Sequence, residues 1–136
     1  MLEVPKIITK DWLSANQNCI FVFGDNLTRR GKKGAAVLRD LPNTYGFITK
    51  RYPSNKSEAF YNLYDYSRRF ENEMIKLKYF INNNQDKIFL ISKLGSGLAN
   101  KHKIWEKIIY PGLKELATFK NVIFLFKQNY GGNKNV

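Results

Sequence analysis

Two glycine-bearing segments of the sequence have the composition of anion-binding loops. The first, GDNLTRRGKKGAA, covers residues 24–36, and the second, KLGSGLANKH, covers residues 93–102. Each follows an apolar run and precedes a helical pattern, so each can present free backbone N–H groups and the positive end of a helix to a phosphate. Glycine also lets a backbone approach its ligand closely. The pair predicts a site for a diphosphate, although neither segment has the spacing of a Walker loop or of G-x-G-x-x-G.

The two segments can act together only if a sheet brings them to one edge. Such a sheet is predicted by runs rich in β-branched and aromatic residues, at 4–9, 18–23, 44–49, 87–92 and 121–126. The glycine segments follow the second and fourth of these runs. In open α/β sheets, ligands bind beyond the carboxyl ends of the strands. We therefore expect both segments to lie at that edge.

Helical patterns alternate with these runs. A short helix is predicted over 33–40, a long one over 57–82, and a third from Ile104 to Leu116 that Pro111-Gly112 should kink or split. The alternation predicts an α/β fold: three layers, with a largely parallel or mixed central sheet and helices on both faces. We expect one domain over residues 1–128 and a flexible tail over 129–136.

Composition limits the classes of function. The chain has 136 residues and a net charge of +12, from 23 Lys and Arg against 11 Asp and Glu. This excess favours anionic partners, including DNA or RNA, but a bias towards lysine and asparagine explains it equally well. Cys19 is the single cysteine and is expected to be a buried hydrophobe, so we predict no disulfide and no metal cluster. No cofactor is expected. The start of the chain lacks a signal-peptide pattern and no run is long enough to cross a bilayer, which indicates a cytoplasmic protein without a membrane partner. A monomer is expected.

The order of these features resembles the macrodomain family. Asp11 follows the first apolar run, GKKGAA closes the first segment, YGFITKR precedes the long helix, and LGSGLAN precedes Trp105-Glu106. More narrowly, the chain is similar to the branch that contains the terminal ADP-ribose protein glycohydrolase and the antitoxin that removes ADP-ribose from DNA bases. The most particular stretch is YGFITKRYPSNKSEAFYNL, and the likeness covers about residues 5–127. It implies that the protein binds ADP-ribose or an ADP-ribosylated substrate.

The resemblance also assigns roles to individual residues. Asp11 would accept a hydrogen bond from the adenine amino group, although it could equally cap the helix before Trp12. Asn26 would bind a ribose, or merely form a turn with Asp25. The residues expected to wrap the diphosphate or lie beside it are Gly31, Gly34, Ala35, Gly95, Ser96, Gly97, Leu98 and Asn100.

Lys50 is the residue on which chemistry would depend. In the branch that the chain resembles, a lysine at the end of this Thr-Lys strand attacks the anomeric carbon of a linked ribose. Burial and neighbouring cations such as Arg51 could lower its pKa enough for attack. Otherwise Lys50 is a solvated charge at a strand end.

The sequence departs from the family at one important position. Where the branch has a catalytic aspartate in the second loop, this chain has Ala99. Asn100 and His102 lie nearby, but neither is a carboxylate. Binding should survive this change more readily than turnover.

Three functions therefore stay open. The protein is a hydrolase that releases ADP-ribose from a nucleic-acid base, a protein carboxylate or an acyl ester. Alternatively, it is a module that binds the nucleotide without altering it, or a basic protein that binds nucleic acid.

Overall fold

The computed structural model describes residues 2–131 and contains one four-stranded sheet. Its strands are β1 (Cys19–Asn26), β2 (Thr44–Lys50), β3 (Ile88–Ile91) and β4 (Val122–Phe124). They lie in the order β2-β1-β3-β4, and each neighbouring pair is parallel. The α/β class is confirmed. Most of the expected tail, residues 132–136, lies outside the described residues.

Four of the five predicted strands form, and the first does not. Residues 4–9 have no regular secondary structure, so that prediction is wrong. Pro5 offers no N–H to a ladder, and the apolar side chains of Val4 and Ile8 pack beneath the sheet without pairing. Thr9 then begins helix α1 (Lys10–Ala15), because its side chain accepts a hydrogen bond of 3.1 Å from Trp12 N–H.

The two earlier predicted helices are shorter than expected. In place of a helix over 33–40, a 3-10 helix spans Gly34–Leu38. The long helix α2 covers Leu63–Asn82, and the cap is Asn62, whose side chain accepts a hydrogen bond of 2.8 Å from Asp65 N–H. Before it, Ser57–Ala59 forms a single 3-10 turn. Phe60 then pairs with Lys50 in an isolated antiparallel bridge, and this extended pairing excludes Phe60 from the helix.

The last helix changes its hydrogen-bonding pattern at Pro111-Gly112, where the sequence predicts a kink or a split, but its segments follow one another without a break. It consists of a π-helical segment Trp105–Ile109, an α-helical turn Tyr110–Gly112 and a 3-10 segment Leu113–Thr118. Pro111 has no N–H to donate to the preceding turn, so the hydrogen-bonding pattern changes around it. We refer to the whole as the composite helix.

Helices cover both faces of the sheet, as the sequence predicts. Along β1, Ile20 and Val22 belong to an apolar cluster with α2 and the composite helix. The alternating residues Cys19, Phe21 and Phe23 belong to a second cluster on the opposite face, with α1 and the 34–38 turn. Burial raises the pKa of the Cys19 thiol, in keeping with an inert core residue. Between residues 2 and 131, none of the helices has both the length and the hydropathy to span a membrane.

Candidate functional site

A cleft of about 500 Å³ opens at the carboxyl edge of the sheet. Because the strands are parallel, the chain leaves β1, β2 and β3 at the same edge, and residues after all three strands line the cleft. We call residues 27–33 the first loop and residues 92–99 the second loop. The structure thus brings both glycine segments and Lys50 to one site.

Glycines allow the second loop to approach β1 closely. A side chain on Gly24 would place its Cβ 3.4 Å from the backbone nitrogen of Gly95 and 3.2 Å from Thr49 Oγ1. Gly95 itself has a φ of +71°, and a Cβ there would lie 2.8 Å from Ile109 Cδ1. These contacts explain why the strand end and the loop carry glycine at these positions.

Both sides of the cleft carry backbone N–H groups that donate to no acceptor in the described part of the chain. Among the residues that line the cleft, they include those of Gly31, Lys32, Gly34 and Ala35 on one side and of Gly95, Gly97 and Leu98 on the other. The helices that follow are short 3-10 turns, Gly34–Leu38 and Asn100–His102, so little of the expected helix dipole is present. Free amides, rather than helix ends, are the features suited to an anion.

Positive side chains outnumber negative ones around the cleft. Among the described residues that line it, the cationic ones are Arg30, Lys32, Lys33, Arg39, Lys50 and Lys93. The lining carboxylate is Asp25, which is paired with Arg39 at 2.6 Å and with Arg29 at 3.2 Å. That carboxylate is neutralised and Lys32 is paired with Asp40, but the other lining cations exceed these negative charges, so the cleft presents a positive field to its contents.

Lys50 is buried at the end of β2, with 9% of its surface exposed. Its Nζ donates a hydrogen bond of 2.7 Å to the carbonyl oxygen of Ser54 and lies 4.7 Å from the centre of the Phe60 ring. The pKa of Lys50 is lowered, chiefly by burial and secondarily by the charge of Lys33. Lys33, and not the expected Arg51, is therefore the neighbouring cation that lowers the pKa of Lys50.

Arg51 is engaged away from the amine of Lys50. Its guanidinium donates to the Phe60 carbonyl oxygen at 2.9 Å and to Asp65 Oδ2 at 3.1 Å. These bonds join the end of β2 to the start of α2.

Three residues considered in the sequence are not among those that line the cleft. Asp11 is exposed in the first turn of α1, and Thr9 is the cap there. Asn100 is occupied in a local turn, where its Oδ1 accepts from Trp105 N–H at 2.9 Å. His102 is exposed at the end of the same 3-10 turn. We assign none of them to the cleft.

Asn26 lines the cleft, but its side chain is used within the first loop. Its Nδ2 donates to the carbonyl oxygen of Arg30 at 2.7 Å, and its Oδ1 accepts from Thr28 N–H at 3.0 Å. The interpretation of Asn26 as a turn residue agrees with these bonds. Ala99 also lines the cleft, with 6% of its surface exposed.

The cluster of Asp25, Arg29 and Arg39 was missed by sequence reasoning. Gly46 was the available signal, because glycine inside a strand often marks a close approach by another group. A Cβ on Gly46 would lie 2.2 Å from Asp25 Oδ2. No local spacing links Arg39 to Asp25, since the fold alone brings them together.

Fold and site together define an α/β domain with a cation-lined cleft at the carboxyl edge of a parallel sheet. A family described as a family of unknown function, DUF7831, matches residues 3–103. This match covers more than half of the chain, so the protein belongs to that family. The matched range contains Lys50 and both loops. No curated protein and no solved structure matches the chain.

Proposed function

We propose that the protein binds ADP-ribose or a closely related nucleotide in the cleft, with the diphosphate between the first and second loops. The observation that carries this proposal is the meeting of two glycine loops, with free N–H groups on both sides, in a cleft lined by six cationic side chains. A diphosphate supplies the oxygens and the charge that such a lining binds well. The resemblance to macrodomains supports a nucleotide over a free phosphate.

The dimensions of the cleft support the same ligand class. Pockets for small molecules and cofactors have volumes of roughly 300–1,000 Å³. The volume of about 500 Å³ lies within that range. With Asp11 outside the lining, the group that would recognise adenine is not assigned.

Binding is the primary proposal because the cleft lacks the expected second-loop carboxylate, at Ala99. Hydrolysis is a second candidate, and the lowered pKa of the buried Lys50 favours it. In that reaction the neutral Nζ would bond to the anomeric carbon as the bond to the leaving group breaks, and the leaving group, which departs with the electron pair, would take up the proton that the nitrogen loses. Water would then release ADP-ribose and restore the amine.

Calorimetric titration tests the binding proposal directly. ADP-ribose should bind, adenosine should not bind measurably, and inorganic pyrophosphate should displace ADP-ribose. The comparison isolates the diphosphate as the recognised group. A wild-type protein that shows no heat of binding with millimolar ADP-ribose would contradict the proposal.

Turnover requires a separate assay. The protein should be incubated with ADP-ribosylated DNA and with ADP-ribosylated protein, and free ADP-ribose measured over time. If the lysine mechanism operates, Lys50→Ala abolishes release while folding is retained. Release of ADP-ribose at the wild-type rate by this variant would exclude Lys50 as the nucleophile. Tight binding of ADP-ribose by the wild-type protein without any product would favour the binding module.

Nucleic-acid binding is the other candidate, favoured by the net charge of +12 and the cations at the same edge. Unmodified oligonucleotides should then bind with an affinity that falls steeply as salt is added. An absence of any salt-sensitive shift would remove this candidate. Binding of both ADP-ribose and oligonucleotide would instead favour a base-linked substrate.

A further inference from the structure

Arg39 makes more contacts than the neutralisation of Asp25 requires. Its Nη2 donates to Asp25 Oδ1 at 2.6 Å and to the carbonyl oxygen of Arg30 at 3.2 Å, and its Nε donates to the carbonyl oxygen of Gly31 at 2.9 Å. The side chain is 14% exposed. One planar guanidinium therefore joins the end of β1 to two successive carbonyls of the first loop. It shares the Arg30 carbonyl with Asn26 Nδ2, which donates to it at 2.7 Å, whereas the Gly31 carbonyl accepts from Arg39.

Fixing these carbonyls also fixes two N–H groups. In a trans peptide the C=O of one residue and the N–H of the next point in opposite directions, and no cis peptide bond occurs among residues 2–131. The N–H groups of Gly31 and Lys32 therefore point away from the carbonyls that Arg39 holds. Neither N–H donates to an acceptor in the described chain, and both residues line the cleft.

We infer that Arg39 is a positioning residue, which holds the Gly31 and Lys32 N–H groups in the orientation that binds a phosphate oxygen of the ligand. The inference rests on the proposed function and adds to it the donors of the first loop and the side chain that orients them. Donors that are fixed before binding cost less entropy when the ligand arrives. Gly31 has a φ of +100°, a conformation that glycine adopts readily, and Arg39 donates to the carbonyl oxygens of Arg30 and Gly31 on either side of it.

Arg29 provides a matched control because it contacts the same carboxylate without touching these loop carbonyls. Its Nη1 lies 3.2 Å from Asp25 Oδ2 and donates to the carbonyl oxygen of Gly46 at 2.6 Å. Lysine at either position keeps a positive charge beside Asp25. A single ammonium group cannot reproduce the fork of Arg39, so Arg39→Lys and Arg29→Lys differ chiefly in their effect on the first loop.

The test compares the wild-type protein, Arg39→Lys and Arg29→Lys by titration with ADP-ribose and with inorganic pyrophosphate. Arg39→Lys should weaken the binding of both ligands by about tenfold or more, because the N–H donors lose their fixed orientation. Arg29→Lys should weaken the binding of both ligands by less than about threefold, since its side chain is half-exposed and does not contact the carbonyl oxygens of Arg30 and Gly31. Thermal unfolding of each variant verifies that all three proteins are folded.

A spectroscopic readout separates positioning from a purely structural role, and its decisive measurement uses only the wild-type protein. In ¹H–¹⁵N spectra of the wild-type protein, pyrophosphate should shift the amide signals of Gly31 and Lys32. In Arg39→Lys the same signals should already be displaced before ligand is added. If pyrophosphate binds the wild-type protein and leaves both amides unshifted, the inference is overturned whether or not the variant folds.

The remaining outcomes separate this inference from the proposed function. Arg39→Lys that binds both ligands as tightly as the wild-type protein overturns the role of Arg39 and leaves the nucleotide proposal intact. A wild-type protein that binds pyrophosphate but not ADP-ribose contradicts the nucleotide proposal, and the pyrophosphate data then decide the role of Arg39. If the wild-type protein binds neither ligand, both the nucleotide proposal and the role of Arg39 are overturned.

Discussion

The carboxylate of Glu73 in α2 accepts a hydrogen bond of 2.8 Å from the backbone N–H of Ile48 in β2. From the same helix, the Tyr66 hydroxyl donates to the carbonyl oxygen of Ile48 at 2.6 Å. Because β2 is an edge strand, these backbone groups would otherwise lack partners. Ile48 lies two residues before Lys50, so α2 fixes the strand end that faces the cleft.

Glu73→Ala should therefore be strongly destabilising. It leaves the buried N–H of Ile48 without an acceptor and opens a cavity, which together should lower the free energy of unfolding by about 2–4 kcal/mol. Glu73→Gln keeps an acceptor oxygen and should lose less. Denaturant unfolding measures both effects, and Glu71→Ala, at an exposed position of the same helix, should change stability by no more than about 0.5 kcal/mol. Equal losses in Glu73→Ala and Glu71→Ala would contradict the role of this hydrogen bond.

The strands could be predicted where burial on both faces produces continuous apolar runs, as at β1 and β3. The same criterion failed at residues 4–9, since an apolar run also forms when irregular chain packs beneath a sheet. Helix α2 was placed correctly by its periodicity, but its start was not. The bridge between Phe60 and Lys50 depends on residues distant in sequence, and no local pattern reports it.

The candidate site shows a similar division. The glycine loops and Lys50 could be placed at one edge because parallel strands send their carboxyl ends the same way. The partners of Asp25 could not, because Arg39 is 14 residues away and reaches it only in the folded chain. Asp11 was drawn from family resemblance alone, and the fold leaves it outside the cleft lining.

Gly112 should be sensitive to the smallest substitution. Gly112→Ala would place a Cβ 2.3 Å from the ring of Phe70, where α2 packs against the composite helix. Although alanine favours helix over glycine, this clash should lower the free energy of unfolding by about 1–3 kcal/mol. Thermal or denaturant unfolding measures the change. Gly97→Ala is the control for stability, since its Cβ would meet no atom within 4 Å, and the prediction fails if Gly112→Ala is as stable as this control.

In the folded protein, the amine of Lys50 should titrate at a pH below its ordinary pKa of 10.5. Because the pKa is lower in the folded state, the unfolded state binds more protons between the two values, and this group's contribution to stability rises with pH there. The free energy of unfolding of the wild-type protein, measured relative to that of Lys50→Met, should therefore increase as the pH rises towards 10.5. A difference that is constant with pH would contradict a lowered pKa.

Lys33→Gln should raise the pKa of Lys50, because it removes the second cause of the depression. Burial, the larger cause, persists, so the pKa should return only part of the way to its ordinary value. Titration of the Lys50 side chain by ¹³C NMR measures the shift in each protein. Lys76→Gln, at an exposed position of α2, is the charge-matched control and should leave the titration of Lys50 unchanged.

The cations of the cleft should contribute more to ligand binding than their share of the net charge. Lys33 and Lys93 lie on the two loops that are proposed to hold the diphosphate, whereas Lys76 lies on α2. Lys33→Gln and Lys93→Gln should each weaken the binding of ADP-ribose by about three- to tenfold at low salt. The effect should be smaller at high salt, where charges are screened. Lys76→Gln removes the same charge from another surface and should leave the affinity within about twofold, because screening by salt limits its reach. If all three variants weakened ADP-ribose binding equally, the overall charge would attract the ligand, and the cleft would not be the binding site.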